Sequence, residues 1–359
     1  MLGRVAIVYN EPQPSGYDDT HEEKAVLGVL EAVTAVHEAL GELGYKATLL
    51  PLVPPFEEAR KKLAALSVDV VFNLFEGFCG QPETEALVPE ALSDLKIPFT
   101  GCEAAVIRLS LDKAGVKAVL KEKGIPTPDF QIIDPKTLDT FRLGYPCIVK
   151  PRGEDASHGI SADSLVGDFT SLERQVKAIT GSYHSGALVE QFIGGREFNA
   201  TVMGSSQFVV LPVSEIVYTL SPGVPRILTF AAKWEPESVY FKGTKVICPA
   251  EVSTEESEYI AATTLKAFHL VVGRGYARVD MRMDEAGILN IIEVNPNPDI
   301  SPDTGAARQS AAAGMKYAEF IGKIIELALE KEKYGHKTPP HIRRRQAGVD
   351  ADTEKYARI

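Results

Sequence analysis

The sequence predicts an α/β fold that begins with a parallel sheet. Short apolar segments over Arg4–Tyr9, Ala47–Leu52 and Asp69–Leu74 have the length and composition of buried strands. The segments between them, Glu22–Leu43 and Glu57–Leu66, carry apolar residues at helical spacing. Strands that alternate with helices indicate a parallel sheet covered by helices, and ligands of such folds bind beyond the carboxyl ends of the strands.

The composition is that of a globular chain with enough residues for two or three domains. The 359 residues are 45% hydrophobic and 24% charged, and the formal net charge of −11 argues against nucleic acid as a main partner. We find no apolar run of about 18 residues and no signal-peptide pattern, so we expect a cytoplasmic protein without a membrane partner. The four cysteines are scattered, which argues against structural zinc and a disulfide framework: Cys79, Cys102, Cys147 and Cys248.

Two lysines and a glycine-containing loop indicate phosphate binding in the middle of the chain. Pro146–Pro151 is predicted to be a strand that includes Lys150, and the loop Arg152–Ser161 follows it. Lys113 lies in a segment predicted as a single helix over Glu103–Lys123. The backbone N–H groups of such a loop can surround phosphates, and a lysine adds a point charge. Either lysine alone is more typical of a charged surface, and the GxxxxGK[ST] motif is absent.

A β-hairpin is predicted near the C-terminal end. Its strands are Tyr276–Met283 and Ile288–Asn295, and Asp284-Glu285-Ala286-Gly287 supplies the turn. A turn of two or four residues places Asp280 opposite Ile291 and Arg278 opposite Glu293. Because opposed residues share a face of the hairpin, one face then carries four polar side chains: Arg278, Asp280, Glu293 and Asn295. A three-residue turn would break this alignment.

The polar face of this hairpin has two interpretations. Charged strand residues are commonly an exposed, salt-bridged surface. The flanking Ile291-Ile292 and Val294 favour instead a largely buried strand, in which unpaired carboxylates are costly. A hard cation removes that cost, since Mg²⁺ accepts one or two carboxylates together with water and phosphate oxygens. We therefore predict a Mg²⁺ (or Mn²⁺) site formed by Asp280, Glu293 and Asn295.

The motif order places the chain close to a known family. Arg278-Val279-Asp280, followed after a short hairpin by the run EVNPNP from Glu293, resembles the metal-binding end of ATP-grasp ligases, and the D-alanine–D-alanine ligases are the most similar. The resemblance implies a three-domain ATP-grasp architecture, α/β at the N-terminus and α+β in the ATP-grasp part. It implies an N-terminal domain at 1–103, a central subdomain with a phosphate lid at 104–187, a C-terminal subdomain with the metal site at 188–335, and a disordered tail at 336–359.

The same resemblance assigns residues to ATP and to catalysis. Phosphate contacts are assigned to Lys113, Lys150 and Lys233, and to a flexible loop containing Gly153, Ser157 and Gly159. Adenine is assigned to Glu190 and to the backbone at Gln191 and Ile193. The ribose is assigned to Glu197, for which a turn-capping role is the alternative. The implied catalytic residues are Arg278, Lys233 and Ser157, and Arg278 would stabilise a tetrahedral oxyanion.

The substrate side departs from the D-alanine–D-alanine ligase pattern. Those enzymes usually have a histidine, a serine, a tyrosine and a glycine where this chain has Glu76, Ala156, Trp234 and Asp299. The candidate substrate residues are Glu76, Asp299, Thr304 and Gly305. The region that normally supplies a glutamate for the first substrate matches poorly here, and Glu22 or Glu23 can take that role. These differences predict that D-alanine is a poor first substrate, and Asp299 suggests an amine-bearing acceptor.

The resemblance therefore implies an ATP-dependent, ADP-forming carboxylate–amine ligase that forms an acyl phosphate and acts on amino-acid or peptide substrates. Two alternatives stay open: a ligase that joins other amino acids or peptides outside cell-wall synthesis, and an ATP-binding regulatory module without catalysis. The presence of all four polar residues on the hairpin, Arg278, Asp280, Glu293 and Asn295, argues against a regulatory module without catalysis. The expected partners are small molecules rather than nucleic acid or membrane, and a homodimer is allowed.

Overall fold

The computed structural model describes residues 3–13, 23–183 and 186–334, which form three β-sheets with helices packed against them. In the first sheet three parallel strands lie in the order β2-β1-β3: β1 at Arg4–Asn10, β2 at Lys46–Leu52 and β3 at Val70–Leu74. The helices that follow these strands are α1 (Glu23–Glu42), α2 (Phe56–Ala64) and α3 (Leu87–Asp94). The predicted parallel sheet and its connecting helices are confirmed.

The strands β1 and β3 are buried on both faces, which explains their nearly continuous apolar sequences, whereas the edge strand β2 is largely exposed. Ile7 and Phe72 lie in an apolar cluster with α1 and with the C-terminal helix α11 (Tyr317–Tyr334). Ala6 and Val8 face the opposite side and pack with α2 and α3. The carboxyl ends of β1 and β3 meet at one edge, where the Glu76 N–H donates to Asn10 Oδ1 at 3.0 Å.

The second sheet is antiparallel and carries two charged groups of the site. Its order is β4-β7-β5-β6, with β4 at Phe130–Ile133, β5 at Cys147–Pro151, β6 at Leu165–Val166 and β7 at Ala187–Gln191. Helix α6 (Phe169–Tyr183) covers one face. Glu190 of β7 is paired with Ile148, two residues before Lys150, so Glu190 and Lys150 project from the same face.

The third sheet is antiparallel, in the order β11-β10-β8-β12-β13, with β9 paired to β8. Its strands are β8 (Glu197–Gly204), β9 (Phe208–Val210), β10 (Ser214–Tyr218), β11 (Thr244–Ile247), β12 (Gly275–Met283) and β13 (Leu289–Pro296). Helices α4 (Ala104–Leu111), α5 (Lys113–Glu122) and α9 (Thr254–Val271) pack against one face. The remaining helices are α7 (Phe230–Trp234), α8 (Val239–Gly243), α10 (Gly305–Ala312) and three short 3₁₀ turns, Pro82–Thr84, Leu138–Thr140 and Ala162–Ser164.

The register of the β12–β13 hairpin differs from both predicted registers. Asp284 N–H donates to Ile288 O at 2.9 Å, so the turn has three residues, and Gly287 adopts φ +80°. That turn shifts the pairing by one residue, but a β-bulge at Ile292 shifts it again. Asp280 therefore opposes Glu293, and Arg278 opposes Asn295. The predicted pairings were wrong. The predicted polar face still exists, because two shifts of one residue each return the side chains to the same face of the hairpin.

The single helix predicted over Glu103–Lys123 is two helices, α4 and α5. They are separated by Asp112, whose backbone angles of φ −85° and ψ 83° are not helical. The Asp112 carboxylate accepts from both Nε and Nη2 of Arg152 at 2.9 Å, which ties the break to the loop after β5. The break makes Lys113 the first residue of α5.

Several predictions concern parts of the chain outside this description. The tail 336–359 and the segment 14–22, with Glu22, lie outside the described residues, as does the side chain of Glu23. The domain boundaries near 103, 187 and 335 stay predictions. Within the described ranges, no helix is both long and apolar enough to cross a lipid bilayer.

Candidate active site

The polar face of the hairpin forms a tightly connected cluster. Arg278 donates from Nε and Nη2 to the two oxygens of Asp280 at 2.7 and 2.8 Å, and Asn295 Nδ2 donates to Asp280 Oδ2 at 2.8 Å. The side chains of Arg278, Asp280 and Glu293 are each only about one-fifth exposed. The apolar residues of β12 point the other way, into the core, because side chains alternate along a strand. The strand therefore presents a preorganised charged face.

Lys113 joins this cluster from the start of α5. Its ammonium lies 2.6 Å from Glu293 Oε1 and 3.1 Å from Asp155 Oδ1, and it donates to Glu154 O at 2.5 Å. Burial raises the pKa of Glu293, but the neighbouring Lys113 and Lys150 outweigh it and lower that pKa to about 2. Burial likewise opposes the charge of Lys113, but Asp155 and Glu293 raise its pKa. Both groups are therefore held in their charged forms.

A second buried charge group lies behind Lys150. Glu190 is 1% exposed, and its Oε1 lies 3.1 Å from the ammoniums of both Lys150 and Lys117. Lys117 also donates to Thr127 Oγ1 at 3.0 Å, and Thr127 donates to Ile291 O of the hairpin at 2.7 Å. The sequence analysis missed Lys117, although its spacing of four from Lys113 puts both lysines on one side of α5.

The buried Lys117 gives a prediction about stability and pH. Burial lowers its pKa from 10.5 to about 8, against the opposing effect of Glu190. Because the folded-state pKa is below the unfolded value, the unfolded chain binds more protons between pH 8 and 10.5, so this group adds stability as the pH rises. We expect the stability of the wild type relative to Lys117→Met to increase over that range in urea unfolding. A pH-independent difference would contradict the buried, titrating Lys117.

The loop after β5 adopts a conformation that suits a phosphate-binding loop. Ala156, Ser157 and Gly159 have φ of +52°, +65° and +71°. A Cβ on Gly159 would come within 2.7 Å of Pro151 and 2.8 Å of Tyr183, so this position requires glycine. Gly153 and Ser157 are both partly exposed on the same loop.

A second segment covers this loop. Phe230 N–H donates to Ile160 O at 2.9 Å, and Trp234 Nε1 donates to Ala156 O at 3.3 Å. Phe230–Trp234 forms the short helix α7, whose N-terminus is capped by the Thr229 hydroxyl. Helix α7 brings Lys233 into the site: burial lowers its pKa, as does Arg278, while Asp280, Glu293 and Asp155 oppose the shift.

The residues assigned to adenine and ribose lie where β7 ends and β8 begins. The Gln191 N–H donates to Asp129 O at 2.8 Å, so this N–H is already paired within the protein. Glu197 accepts from the Tyr218 hydroxyl at 2.6 Å and lies 3.7 Å from Arg282 Nε. Arg282 in turn lies over the Phe192 ring at 4.7 Å.

The candidate substrate residues surround the Arg278 side of the cluster. Glu76 follows β3, and Asp299 follows the hairpin and lies close enough to Arg278 to raise its pKa. The Thr304 hydroxyl donates to Ser301 O at 2.7 Å and to Asp299 O at 3.1 Å. Gly305 begins α10, and a Cβ there would lie 3.4 Å from Arg278 Cδ. The sequence analysis missed Glu85, which approaches Glu76 from the segment before α3.

The donor set of the hairpin fits a hard divalent cation. Asp280 and Glu293 are directly opposed, and the Asn295 amide lies beside Asp280, so three oxygen-bearing side chains share one face. Among the described residues, no group of three or more His, Cys, Asp and Glu side chains is arranged to hold a metal. Two carboxylates and one amide fit an ion that takes its remaining ligands from water and phosphate.

Comparison with known proteins gives a consistent family. A family profile described as the D-ala D-ala ligase C-terminus matches residues 119–326, more than half of the chain. The D-alanine–D-alanine ligase of Sinorhizobium medicae is 31% identical, with 83% of this chain and 92% of that protein covered. An uncharacterized Sinorhizobium fredii protein, y4sG, is 32% identical, with coverage of 81% and 83%.

The fold agrees with this assignment. The crystal structure of the Bacillus anthracis D-alanine–D-alanine ligase complexed with ATP superposes with a TM-score of 0.70 at 21% identity, covering 93% of this chain and 99% of that one. The three sheets, the charged hairpin and the lysine-bearing strand thus occur in an ATP-grasp fold. The chain belongs to the D-alanine–D-alanine ligase family.

Proposed function

We propose that this protein is an ATP-dependent, ADP-forming ligase that joins a carboxylate to an amine. The observation that carries the proposal is the convergence of four cationic side chains on the Asp280–Glu293 pair from separate elements: Lys113 of α5, Lys150 of β5, Lys233 of α7 and Arg278 of β12. Such a set suits a polyphosphate with a developing negative charge. The names of the related ligases and the ATP bound to the B. anthracis enzyme support the same reading.

ATP is a substrate in this scheme, and Mg²⁺ or Mn²⁺ is the metal. Asp280, Glu293 and Asn295 would hold the ion, which neutralises phosphate charge when bound. Lys113, Lys150 and Lys233 contact the phosphates, together with the loop containing Gly153, Ser157 and Gly159. The adenine lies against Glu190 and the backbone at Gln191 and Ile193, and Glu197 accepts hydrogen bonds from the ribose.

The reaction has two steps, in both of which these side chains stabilise charge. A carboxylate oxygen of the first substrate attacks the γ-phosphorus, and ADP leaves, which gives an acyl phosphate. The amine of the second substrate attacks the acyl carbon, loses a proton, and phosphate leaves. Arg278 stabilises the oxyanion of the second step, a contribution of about 3–4 kcal/mol for donors of this kind. Ser157 and Lys233 position the transferred group, and Glu76, Asp299, Thr304 and Gly305 face the substrates.

The test is ADP release with Mg²⁺ and a panel of D- and L-amino acids, alone and in pairs. We expect release that depends on amino acids and an amide product, with D-alanine a poorer first substrate than the best member of the panel. A ligase for other amino acids or peptides outside cell-wall synthesis is the second candidate, favoured by Glu76, Ala156, Trp234 and Asp299. ATP binding without amino-acid-dependent release would indicate the regulatory module instead.

Removing the proposed ribose contact should weaken the binding of ATP more than it slows the chemical step. We expect Glu197→Ala to raise the KM for ATP about tenfold with little change in kcat, because a ribose contact is made equally in the ground and transition states. The variant should also lose the preference of the wild type for ATP over 2′-deoxy-ATP. Tyr218→Phe, which keeps the carboxylate but removes its 2.6 Å partner, is the control. A loss in kcat alone would contradict the role.

Location and assembly belong to the same proposal. A cytoplasmic location follows from the consumption of ATP. We predict that the protein has no nucleic-acid or membrane partner and that it can form a homodimer. The net charge of −11 argues against nucleic acid as a partner. Sedimentation of the purified chain would determine its oligomeric state.

A further inference from the structure

Three acidic side chains line one cavity at the carboxyl edge of the parallel sheet. Glu76 follows β3, Glu85 precedes α3, and Asp299 follows the hairpin, and all three line the cavity together with Asn73. Within the described part of the chain, none of the three carboxylates forms an ion pair with a lysine or arginine. Like charges placed together without a cation are unfavourable, so the cavity is not arranged for the stability of the empty protein.

The carboxyl groups of the cavity affect one another. Part of the Glu76 side chain is exposed, but desolvation of its carboxyl group in the cleft raises the pKa to about 8, and Asp299 and Asp155 add to the shift. Burial also raises the pKa of Glu85, with contributions from Asp155 and Glu76. Asp155 belongs to the loop that holds Lys113, so the acids of the cavity interact electrostatically with the predicted phosphate site.

A second, independent observation concerns the amide of Asn73 beside this cavity. Asn73 is 2% exposed and lines the cavity, and its Nδ2 has no hydrogen-bond partner among the residues described. Its Oδ1 accepts from Phe75 N–H at 3.3 Å, which fixes the amide with its donor unpaired. A buried amide donor without an acceptor is costly and is usually paired in a native protein. The cavity therefore offers one hydrogen-bond donor beside three carboxylates.

We propose that this cavity binds the positively charged side chain of an amino-acid or peptide substrate, an ammonium or a guanidinium. This inference rests on the proposed ligase function and names its substrate class. The α-ammonium group of an amino acid needs only one carboxylate as a partner. Glu76, Glu85 and Asp299 supply three carboxylates, which is enough for a second positive group on the side chain. Arg278 lies close enough to Asp299 for their charges to interact, and it belongs with Lys113 and Lys233 to the charged cluster of the hairpin, which suits the reacting carboxylate of the same substrate.

Selectivity follows from the polar groups that a neutral ligand would leave unpaired. A substrate with a positive side chain pairs with the carboxylates, and in a peptide substrate a backbone carbonyl can accept from Asn73 Nδ2. A neutral side chain of the same shape would leave the three carboxylates near one another without a positive partner. Sites built from such groups discriminate strongly against ligands that lack the partner.

The test compares matched ligands that differ only in the side-chain charge. Binding of lysine and norleucine, and of arginine and citrulline, each as D- and L-forms, is measured by calorimetry on the full chain without ATP. We expect the charged member of at least one pair to bind about tenfold more tightly. The double variant Glu76→Gln/Asp299→Asn should lose most of this preference, whereas Glu83→Gln, an exposed acid of the same segment, should keep it.

The outcomes separate this inference from the ligase proposal. Equal binding within both pairs would overturn the charged-side-chain subsite, whatever the turnover. A clear preference for the charged ligand, without amino-acid-dependent ADP release, would support the subsite and reject the ligase.

Stability provides a further check on the same carboxylate. Because the folded-state pKa of Glu76 exceeds its unfolded value of 4.5, the wild type loses stability as the pH rises from there towards 8. Glu76→Gln should therefore raise the melting temperature at pH 8 but not at pH 4.5. A lower melting temperature at pH 8 would mean that the carboxylate has a structural role, and the proposal would fail.

Discussion

Glu293→Gln should lower turnover by about three orders of magnitude in a protein that stays folded. The substitution removes one of the two carboxylates of the proposed metal site and the 2.6 Å ion pair with Lys113. Lys113 is not left without partners, because Asp155 lies 3.1 Å away and Glu154 O accepts from it. The expected loss is therefore catalytic rather than structural. ADP release measures the first effect, and a thermal melt measures the second.

A matched control for this variant lies on the same hairpin. Glu285→Gln removes an exposed carboxylate from the turn and should leave turnover unchanged. In the wild type, EDTA should abolish activity, and Mg²⁺ or Mn²⁺ should restore it, whereas Glu293→Gln should recover little at any metal concentration. A folded Glu293→Gln protein with wild-type turnover would refute the metal site.

Glu190→Gln should lower the free energy of unfolding by about 3–5 kcal/mol. The reason is that Glu190 is the shared partner of Lys117 and Lys150, and all three side chains are almost completely buried. Loss of its charge leaves two buried ammoniums facing a neutral amide. Urea unfolding at pH 7 measures the change. Since Lys150 also loses its anchor, the KM for ATP should increase in the same variant.

An exposed pair gives the comparison that isolates burial. Glu173→Gln removes the same chemical group from an i,i+4 pair with Lys177, whose side chains are 41% and 58% exposed. Exposed pairs of this kind contribute at most about 0.5 kcal/mol. Adding Lys117→Met to Glu190→Gln should recover part of the lost stability, because one uncompensated charge is then removed. Equal costs for Glu190→Gln and Glu173→Gln would contradict the buried charge group.

The sequence was sufficient for the parallel sheet because its signals are local. Each of its strands is a short apolar run, and each connecting helix shows helical spacing. The hairpin was harder to predict. Its turn residues, Asp284 to Gly287, are compatible with several turn lengths, and a bulge such as that at Ile292 has no sequence signature. The polar face was predicted correctly only because two one-residue shifts in register add to two residues, which returns each side chain to the predicted face.

The charged site could be predicted only in part for a related reason. Lys113 and Lys150 were indicated by the glycine-containing loop and assigned to phosphate through a family resemblance, and Lys233 was identified through the resemblance alone, since a single lysine carries no local signal of burial. Lys117 and Glu85 were missed because their environment depends on partners distant in sequence, such as Glu190 for Lys117. The helix break at Asp112 was missed as well, because it depends on Arg152, forty residues later.

The contacts between Ile291 and the segment before β4 have a mechanical consequence. Ile291 N–H donates to Pro126 O at 2.9 Å, and its carbonyl accepts from Thr127, which also receives the Lys117 hydrogen bond. The segment before β4, next to the proposed adenine site, is thus hydrogen-bonded to the hairpin that carries the proposed metal site. We expect both ends of a bound nucleotide to rest on one rigid frame. We then expect opening and closing motions only in the two segments that cover the site, 152–161 and 230–234. The sheets themselves should move little relative to one another.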